Sequence, residues 1–195
     1  MIQFDNDLKG YAKANKVPIS FDETMEFVIE QINKNNYQEI LEIGTAIGFG
    51  SISMASFSNA KHIDTVEIDK EIFQEALDNI KARKLTQQIT AYNIDAREYL
   101  MKCNKKYDFI YLDGPKGQYI NYLPMLADLL NDNGMIVADN LFFHGMVTGL
   151  VEVPTSCRAM IKGLHNFVGE ITTNPTYKSQ IYNIGDGVAV IKLNK

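Results

Sequence analysis

Residues Glu39-Ile40-Leu41-Glu42-Ile43-Gly44-Thr45-Ala46-Ile47-Gly48-Phe49-Gly50-Ser51 pass from a short apolar run into a glycine-containing turn and then into a helix-compatible stretch. The run Glu39–Ile43 has the length of a buried strand, and Gly44 marks its end. Comparable runs recur at His62–Glu67, Ile89–Asn93, Tyr107–Leu112 and 135–138. Helical stretches separate them, at 51–58, 70–84, 96–103 and 118–130. Strands alternating with helices of this length predict a parallel sheet.

Outward from this middle, the ends differ. Residues 2–16 read as a short amphipathic helix, and Val17-Pro18-Ile19 as an extended break, since proline disfavours helix before it. Asp22 is the expected N-cap of a helix running to Asn35. Helices within residues 1–35 are expected to cap the site of a single domain over 1–195. Toward the C-terminus a helix at 155–166 is expected. Two runs, 168–173 and Val188–Leu193, then pair antiparallel at the sheet edge, joined by 174–187. The predicted fold is α/β, a three-layer αβα arrangement with a mostly parallel seven-stranded sheet and an antiparallel C-terminal strand.

Composition fits a soluble globular domain, at 46% hydrophobic and 22% charged residues. The two cysteines, Cys103 and Cys157, lack metal-type spacing, so reduced thiols and a cytoplasmic location are expected. The N-terminal segment is too polar for a signal peptide, and no apolar run approaches the roughly 20 residues of a membrane span. A net charge of −5 argues against nonspecific nucleic-acid binding, DNA included. A local basic patch remains compatible with it.

In such sheets ligands sit beyond the carboxyl ends of the strands. The turn after Ile43 lacks the G-x-G-x-x-G spacing of dinucleotide folds, because Ala46 and Phe49 stand where glycines would be needed. It also lacks the Lys-Ser/Thr pair of a phosphate loop. Its pattern, Glu42-x-Gly44-x-x-x-Gly48, instead resembles the first motif of S-adenosylmethionine-dependent methyltransferases. Glu67, at the end of the second strand, suits a ribose diol. Asp95-Ala96 follows the third strand, where that family contacts adenine. The resemblance implies S-adenosylmethionine contacts at Glu42, Gly44, Thr45, Gly48, Ser51, Glu67, Asp95, Ala96 and Asp113.

Asp113-Gly114-Pro115-Lys116 follows the fourth strand and Asp139-Asn140 the fifth. Neighbouring strand ends bring Asp113, Asp139 and Asn140 together, an oxygen set suited to Mg²⁺ or Mn²⁺. Helix capping is the bland reading of either aspartate alone. Together the two segments resemble the metal-dependent O-methyltransferases that include catechol and caffeoyl-coenzyme A methyltransferases. Those carry a D-x-x-K segment, matched by Asp113 and Lys116, and a D-N pair, matched by Asp139 and Asn140. The likeness runs from Val17-Pro18-Ile19 to Gly185-Asp186-Gly187. Gly114-Pro115 departs from the Ala-Asp of many members, which bears on the substrate loop. The implied catalytic residues are Lys116, as proton acceptor, and Asp113.

Arg158, Lys162 and His165 share a helix face, as do Lys9, Lys13 and Lys16. Solvated faces are the bland reading; phosphate contact is the functional one. Phe143 or Phe142 would stack on a base. Within the family, Asp113-Gly114-Pro115-Lys116 and Asp139-Asn140-Leu141-Phe142-Phe143-His144-Gly145 look most like bacterial tRNA 5-hydroxyuridine methyltransferases. That likeness implies an anticodon-loop substrate, with Arg158, Lys162 and Phe143 as its contacts, and a homodimer. A small-molecule catechol methyltransferase and a noncatalytic cofactor-binding protein are the alternatives.

Overall fold

The computed structural model describes residues 2–194; Met1 and Lys195 of the expected 1–195 domain lie outside the described residues. Seven strands form one sheet in the order β3-β2-β1-β4-β5-β7-β6. They are β1 (Glu39–Ile43), β2 (His62–Glu67), β3 (Ile89–Asn93), β4 (Tyr107–Leu112), β5 (Leu130–Ala138), β6 (Tyr177–Tyr182) and β7 (Val188–Leu193). Strands β1 to β5 run parallel. β7 runs antiparallel to both β5 and β6.

Period-two alternation divides the sheet's side chains between two cores. Leu41, Ile43, Ile110, Leu112, Ile136 and Ala138 pack with helices α5 (Ala96–Lys102), α6 (Tyr119–Leu129) and α7 (Arg158–Thr173). Ile40, Phe109, Tyr111, Met135 and Val137 face the other way. That side holds α1 (Asn6–Asn15), α2 (Asp22–Asn35), α3 (Phe49–Phe57) and α4 (Lys70–Ala82). The three layers therefore follow from apolar residues on both faces of each strand, the pattern of a sheet covered on both sides.

Three expectations need correction. Residues 168–173 are the last turns of α7 and not a strand. Ile161, Leu164, Phe167 and Ile171 are buried along one helical face, so packing overrides the β-branched preference of Val168, Thr172 and Thr173. Thr172 and Thr173 hydroxyls donate to the carbonyls of Val168 and Gly169, four residues back, and are satisfied within the helix. The edge strand is Tyr177–Tyr182, inside the segment expected to be a connection. Finally, Phe21 and not Asp22 is the N-cap of α2; Asp22 is its first residue, and its carboxylate holds Lys9 at 2.5 Å. Among the described residues no helix is long and apolar enough to cross a membrane.

Strand order reverses between β1 and β4, and a crevice opens where their carboxyl ends diverge. The α1–α2 link crosses this crevice. Its Pro18, Ile19, Ser20 and Phe21 form one wall. Asp5 caps α1 and binds Arg83 of α4 at 2.6 Å, which fastens the N-terminal helix to the body of the domain.

Candidate active site

The crevice is a cavity of about 710 Å³, within the usual range for ligand sites. The turn after β1 and the ends of β2 and β3 form one end of it, through Gly44, Thr45, Glu67, Asp95 and Ala96. Asp113, Lys116, Asn140 and Phe143 face the same cavity from the ends of β4 and β5. The sequence-predicted cofactor and catalytic groups thus converge.

Gly44 has φ +104 and its N–H donates to Val66 O at 3.1 Å. The turn exposes the Ala46 N–H to Glu67 Oε2 at 3.0 Å, while Glu67 Oε1 accepts from Asp69 N at 2.9 Å. Glu67 is thereby fixed at the cavity wall by two backbone donors. Asp95 caps α5, with Oδ1 accepting from Arg97 N and Glu98 N. Gly48 and Ser51 are placed behind the cavity, not on it. Gly48 is the left-handed N-cap of α3, and the buried Ser51 hydroxyl donates to Gly48 O at 3.2 Å.

Glu42 is buried yet borders the cavity. Thr65 donates to its Oε2 at 2.5 Å, and Thr45 and Thr65 hydroxyls lie 2.6 Å apart. Burial pushes the Glu42 carboxyl up to about 8, with the Thr65 hydrogen bond opposing and the Asp113 charge adding to the rise. Between its ordinary value of 4.5 and about 8, the folded chain holds a proton that the unfolded chain has released. Stability without ligand should therefore fall as pH rises through that window. Glu42→Gln should flatten the fall in melting temperature between about pH 6.5 and 8.5. An unchanged slope in that variant would assign the effect elsewhere.

At the other end, Asp113 Oδ1 accepts from Lys116 Nζ at 2.5 Å, and Asp113 Oδ2 from the Ser20 hydroxyl at 3.1 Å. Tyr111 OH stands 2.9 Å from both Ser20 Oγ and Asp139 Oδ2. Asp139 Oδ1 accepts from the Asn140 N–H at 2.7 Å. Neither aspartate caps a helix. Three links thus join the two carboxylates through two hydroxyls. Burial first and the Asp113 charge second raise Asp139 to about 6, against the opposing pull of Lys116 and of the hydrogen bond that Tyr111 donates.

Asp113 and Asn140 line the cavity, whereas Asp139 is fully buried behind it and joined to Asp113 only through Tyr111 and Ser20. By donor type, two carboxylates and an amide oxygen are a set that a hard divalent cation takes. Asn140 adopts φ +59, Phe143 +43 and His144 +54, unusual for non-glycine residues. The contorted loop is held by Asp186, which is 9% exposed and accepts from the His144 N–H at 2.8 and 3.0 Å. The Leu141 and Phe142 N–H groups donate to Gly187 O and Asp186 O.

Arg158 and Lys162 do not reach the cavity; both are exposed on the outer face of α7. His165 on that helix lies 3.0 Å from Val147 O, tying α7 to the loop after Asn140. Sequence reasoning missed Ser20, Tyr111, Thr65 and Asp186 as site residues. Gly185-Asp186-Gly187 gave a signal for the last; Ser20 gave none, being 93 residues from Asp113.

A glycine turn at the switch point, a carboxylate at the next strand end and a capped aspartate at the third make this the site of a class I methyltransferase. The family model for O-methyltransferases matches residues 7–193, and the chain belongs to that family. Caffeoyl-CoA O-methyltransferase 2 of Eucalyptus globulus is 28% identical over 184 residues, 86% of this chain and 70% of its own length. A Staphylococcus aureus structure, provisionally assigned as a caffeoyl-CoA O-methyltransferase, is 31% identical with a TM-score of 0.89, over 96% of this chain and 91% of that one. The Bacillus cereus O-methyltransferase, solved with S-adenosylhomocysteine, shares the fold at a TM-score of 0.85 and 20% identity, over 100% and 93%. The protein is an S-adenosylmethionine-dependent O-methyltransferase.

Proposed function

We propose that this enzyme methylates an acidic hydroxyl lying beside a second oxygen, with a divalent metal held by Asp113, Asp139 and Asn140. The acceptor we assign is the 5-hydroxyl of 5-hydroxyuridine at the tRNA wobble position, giving 5-methoxyuridine. One observation carries the chemistry: Asp113, Lys116 and Asn140 face the same cavity as the cofactor turn and Glu67. A methyl carried at one end can meet a hydroxyl held at the other.

Methyl transfer from a sulfonium is an in-line displacement by oxygen, and the oxyanion is the competent nucleophile. Bound at Asp113, Asp139 and Asn140, the metal would supply Lewis acidity that lowers the hydroxyl's pKa. Lys116 Nζ, held by Asp113, is the group we assign to take the hydroxyl proton. Asp113 anchors that amine through Oδ1. Glu67 and Asp95 would hold the nucleoside end of the cofactor, and Glu42 lines the same part of the cavity. Pro18 to Phe21 roof the cavity and exclude water.

Support for an RNA acceptor comes from the loop likeness to tRNA 5-hydroxyuridine methyltransferases and from the exposed Arg158, Lys162 and His165 on α7. Phe143, at the cavity wall, would stack on the flipped base. We take the enzyme to act in the cytoplasm as a homodimer. The relatives' names favour a second reading, a small catechol or phenolic acceptor at the same site. Lys9 also weakens the basic surface by pairing with Asp22.

Labelled S-adenosylmethionine, given with tRNA carrying 5-hydroxyuridine or with catechol, decides between them. Mg²⁺-dependent labelling of the modified tRNA, absent from unmodified tRNA and abolished by chelator, is the expected result. Labelling of catechol alone discards the tRNA acceptor, and labelling that survives chelation discards the metal.

A further inference from the structure

Helix α7 lies behind the catalytic loop, and at one glycine it approaches that loop more tightly than a side chain ordinarily packs. Lys116–Gln118 forms a 3-10 turn that packs on α7. A Cβ built on Gly163 would stand 3.0 Å from Gly117 O, 3.3 Å from its Cα and 3.5 Å from its carbonyl carbon. All three are backbone atoms, so no side chain can swing aside. On the opposite side of this contact, a Cβ on Gly117 would meet Met160 Cα at 3.6 Å. The missing Cβ of Gly163 thus lets the helix pack closely on the turn, one residue after Lys116, while a Cβ on Gly117 would find only ordinary contact.

One turn further along α7, Phe167 packs edge-on to the Tyr119 ring, with centroids 5.4 Å apart and planes at 71°. Tyr119 OH lies 2.9 Å from Leu112 O and 3.3 Å from Asp139 O, the carbonyls flanking the two carboxylates. The Lys116 ammonium lies over the same ring, 5.5 Å from its centroid. The helix therefore abuts both the turn that begins with Lys116 and the ring beneath its ammonium.

We propose that α7, through the bare backbone contact of Gly163 with Gly117, is the positioning element that sets Lys116 against Asp113. Gly163 is a positioning residue; it touches neither cofactor nor acceptor. The inference rests on the catalytic role assigned to Lys116 above.

The test is methyl transfer at saturating S-adenosylmethionine by the whole enzyme, on whichever of 5-hydroxyuridine tRNA or catechol the wild type methylates. Gly163→Ala should lower kcat by about 2- to 10-fold, since the turn must give by a few tenths of an ångström and a full 1 Å misplacement costs about 10²-fold, with KM and cofactor affinity little changed. Gly169→Ala adds a methyl in the same helix where nothing lies within 4 Å, and should turn over like wild type. Ile171→Val trims the far end of α7. If Gly163→Ala melts early, an Ile171→Val enzyme with a comparable loss of melting temperature is the reference. Equal kcat in that matched pair, or wild-type kcat in a stably folded Gly163→Ala, overturns the proposal. Lys116→Met separates the two levels. If it is inactive while Gly163→Ala is normal, only the role of α7 falls; if it is fully active, the catalytic reading of Lys116 falls and this inference with it.

Discussion

Lys116→Met should lower the single-turnover rate of methyl transfer by about 10²–10⁴-fold, the usual contribution of a positioned proton acceptor. Its affinity for S-adenosylmethionine should stay close to wild type. The reasons are geometric. The side chain is 13% exposed, and its ammonium meets Asp113 Oδ1 and lies over the Tyr119 ring. Methionine keeps an unbranched stem of similar shape, with sulfur in place of Cδ, and removes the terminal nitrogen. Lys116→Arg sharpens the result. A guanidinium restores the positive charge yet cannot be deprotonated, so recovery by arginine would mean that charge alone matters. Continued loss in arginine identifies proton transfer. Asp113→Ala is the harsher change, because it leaves Lys116 and Ser20 without their partner and removes one carboxylate of the proposed cation set. Metal-dependent turnover should disappear there. Wild-type rates in Lys116→Met and Asp113→Ala would sink the mechanism.

How far such a site can be read from a chain depends on whether its signals are local. β1 was legible to the residue, because a short run rich in Ile and Leu ending in glycine has few alternatives, whereas the helix after the turn begins at Phe49, two residues before the expected Ser51. That Asp113, Lys116 and Asn140 stand at the crevice was legible because each follows a strand whose end the topology places there; the full burial of Asp139 was not. The reading failed where burial decides. Residues 168–173 carry β-branched side chains, and only the partners of Ile171 and Phe167 in the core show why they stay helical. Tyr177–Tyr182 alternates weakly because it is an edge strand with little apolar surface to bury. Ser20 and Tyr111 join the two carboxylates across 93 and 28 residues, a relation no spacing announces. Gly163 looks like an ordinary weak point in a helix until Gly117 is seen against it.

Gly44→Ala should cost both fold stability and cofactor binding, for one cause. The residue has φ +104, a region L side chains avoid. An added Cβ would stand 2.5 Å from Asp113 O and 2.9 Å from Asp113 C. Both are backbone atoms of the β4 end, pinned because the Asp113 N–H donates to Ile43 O at 3.0 Å. Relief therefore requires β1 and β4 to part at the switch point. Strain and overpacking together cost about 2–6 kcal/mol. In a domain of this size each kcal/mol lowers the melting temperature by about 2–4 °C. The same parting moves the turn that carries Ala46 and faces Glu67 away from Asp113, so S-adenosylmethionine affinity should fall steeply even in the molecules that stay folded. Gly10→Ala is the internal contrast. Gly10 lies inside α1 with nothing within 4 Å of the new methyl and should gain about 0.5–1 kcal/mol. Calorimetric melting and titration with S-adenosylmethionine measure both quantities. A Gly44→Ala protein that melts and binds like wild type would mean that the strand ends are not in contact there. The shared origin of fold and site at β1 and β4 would then be lost.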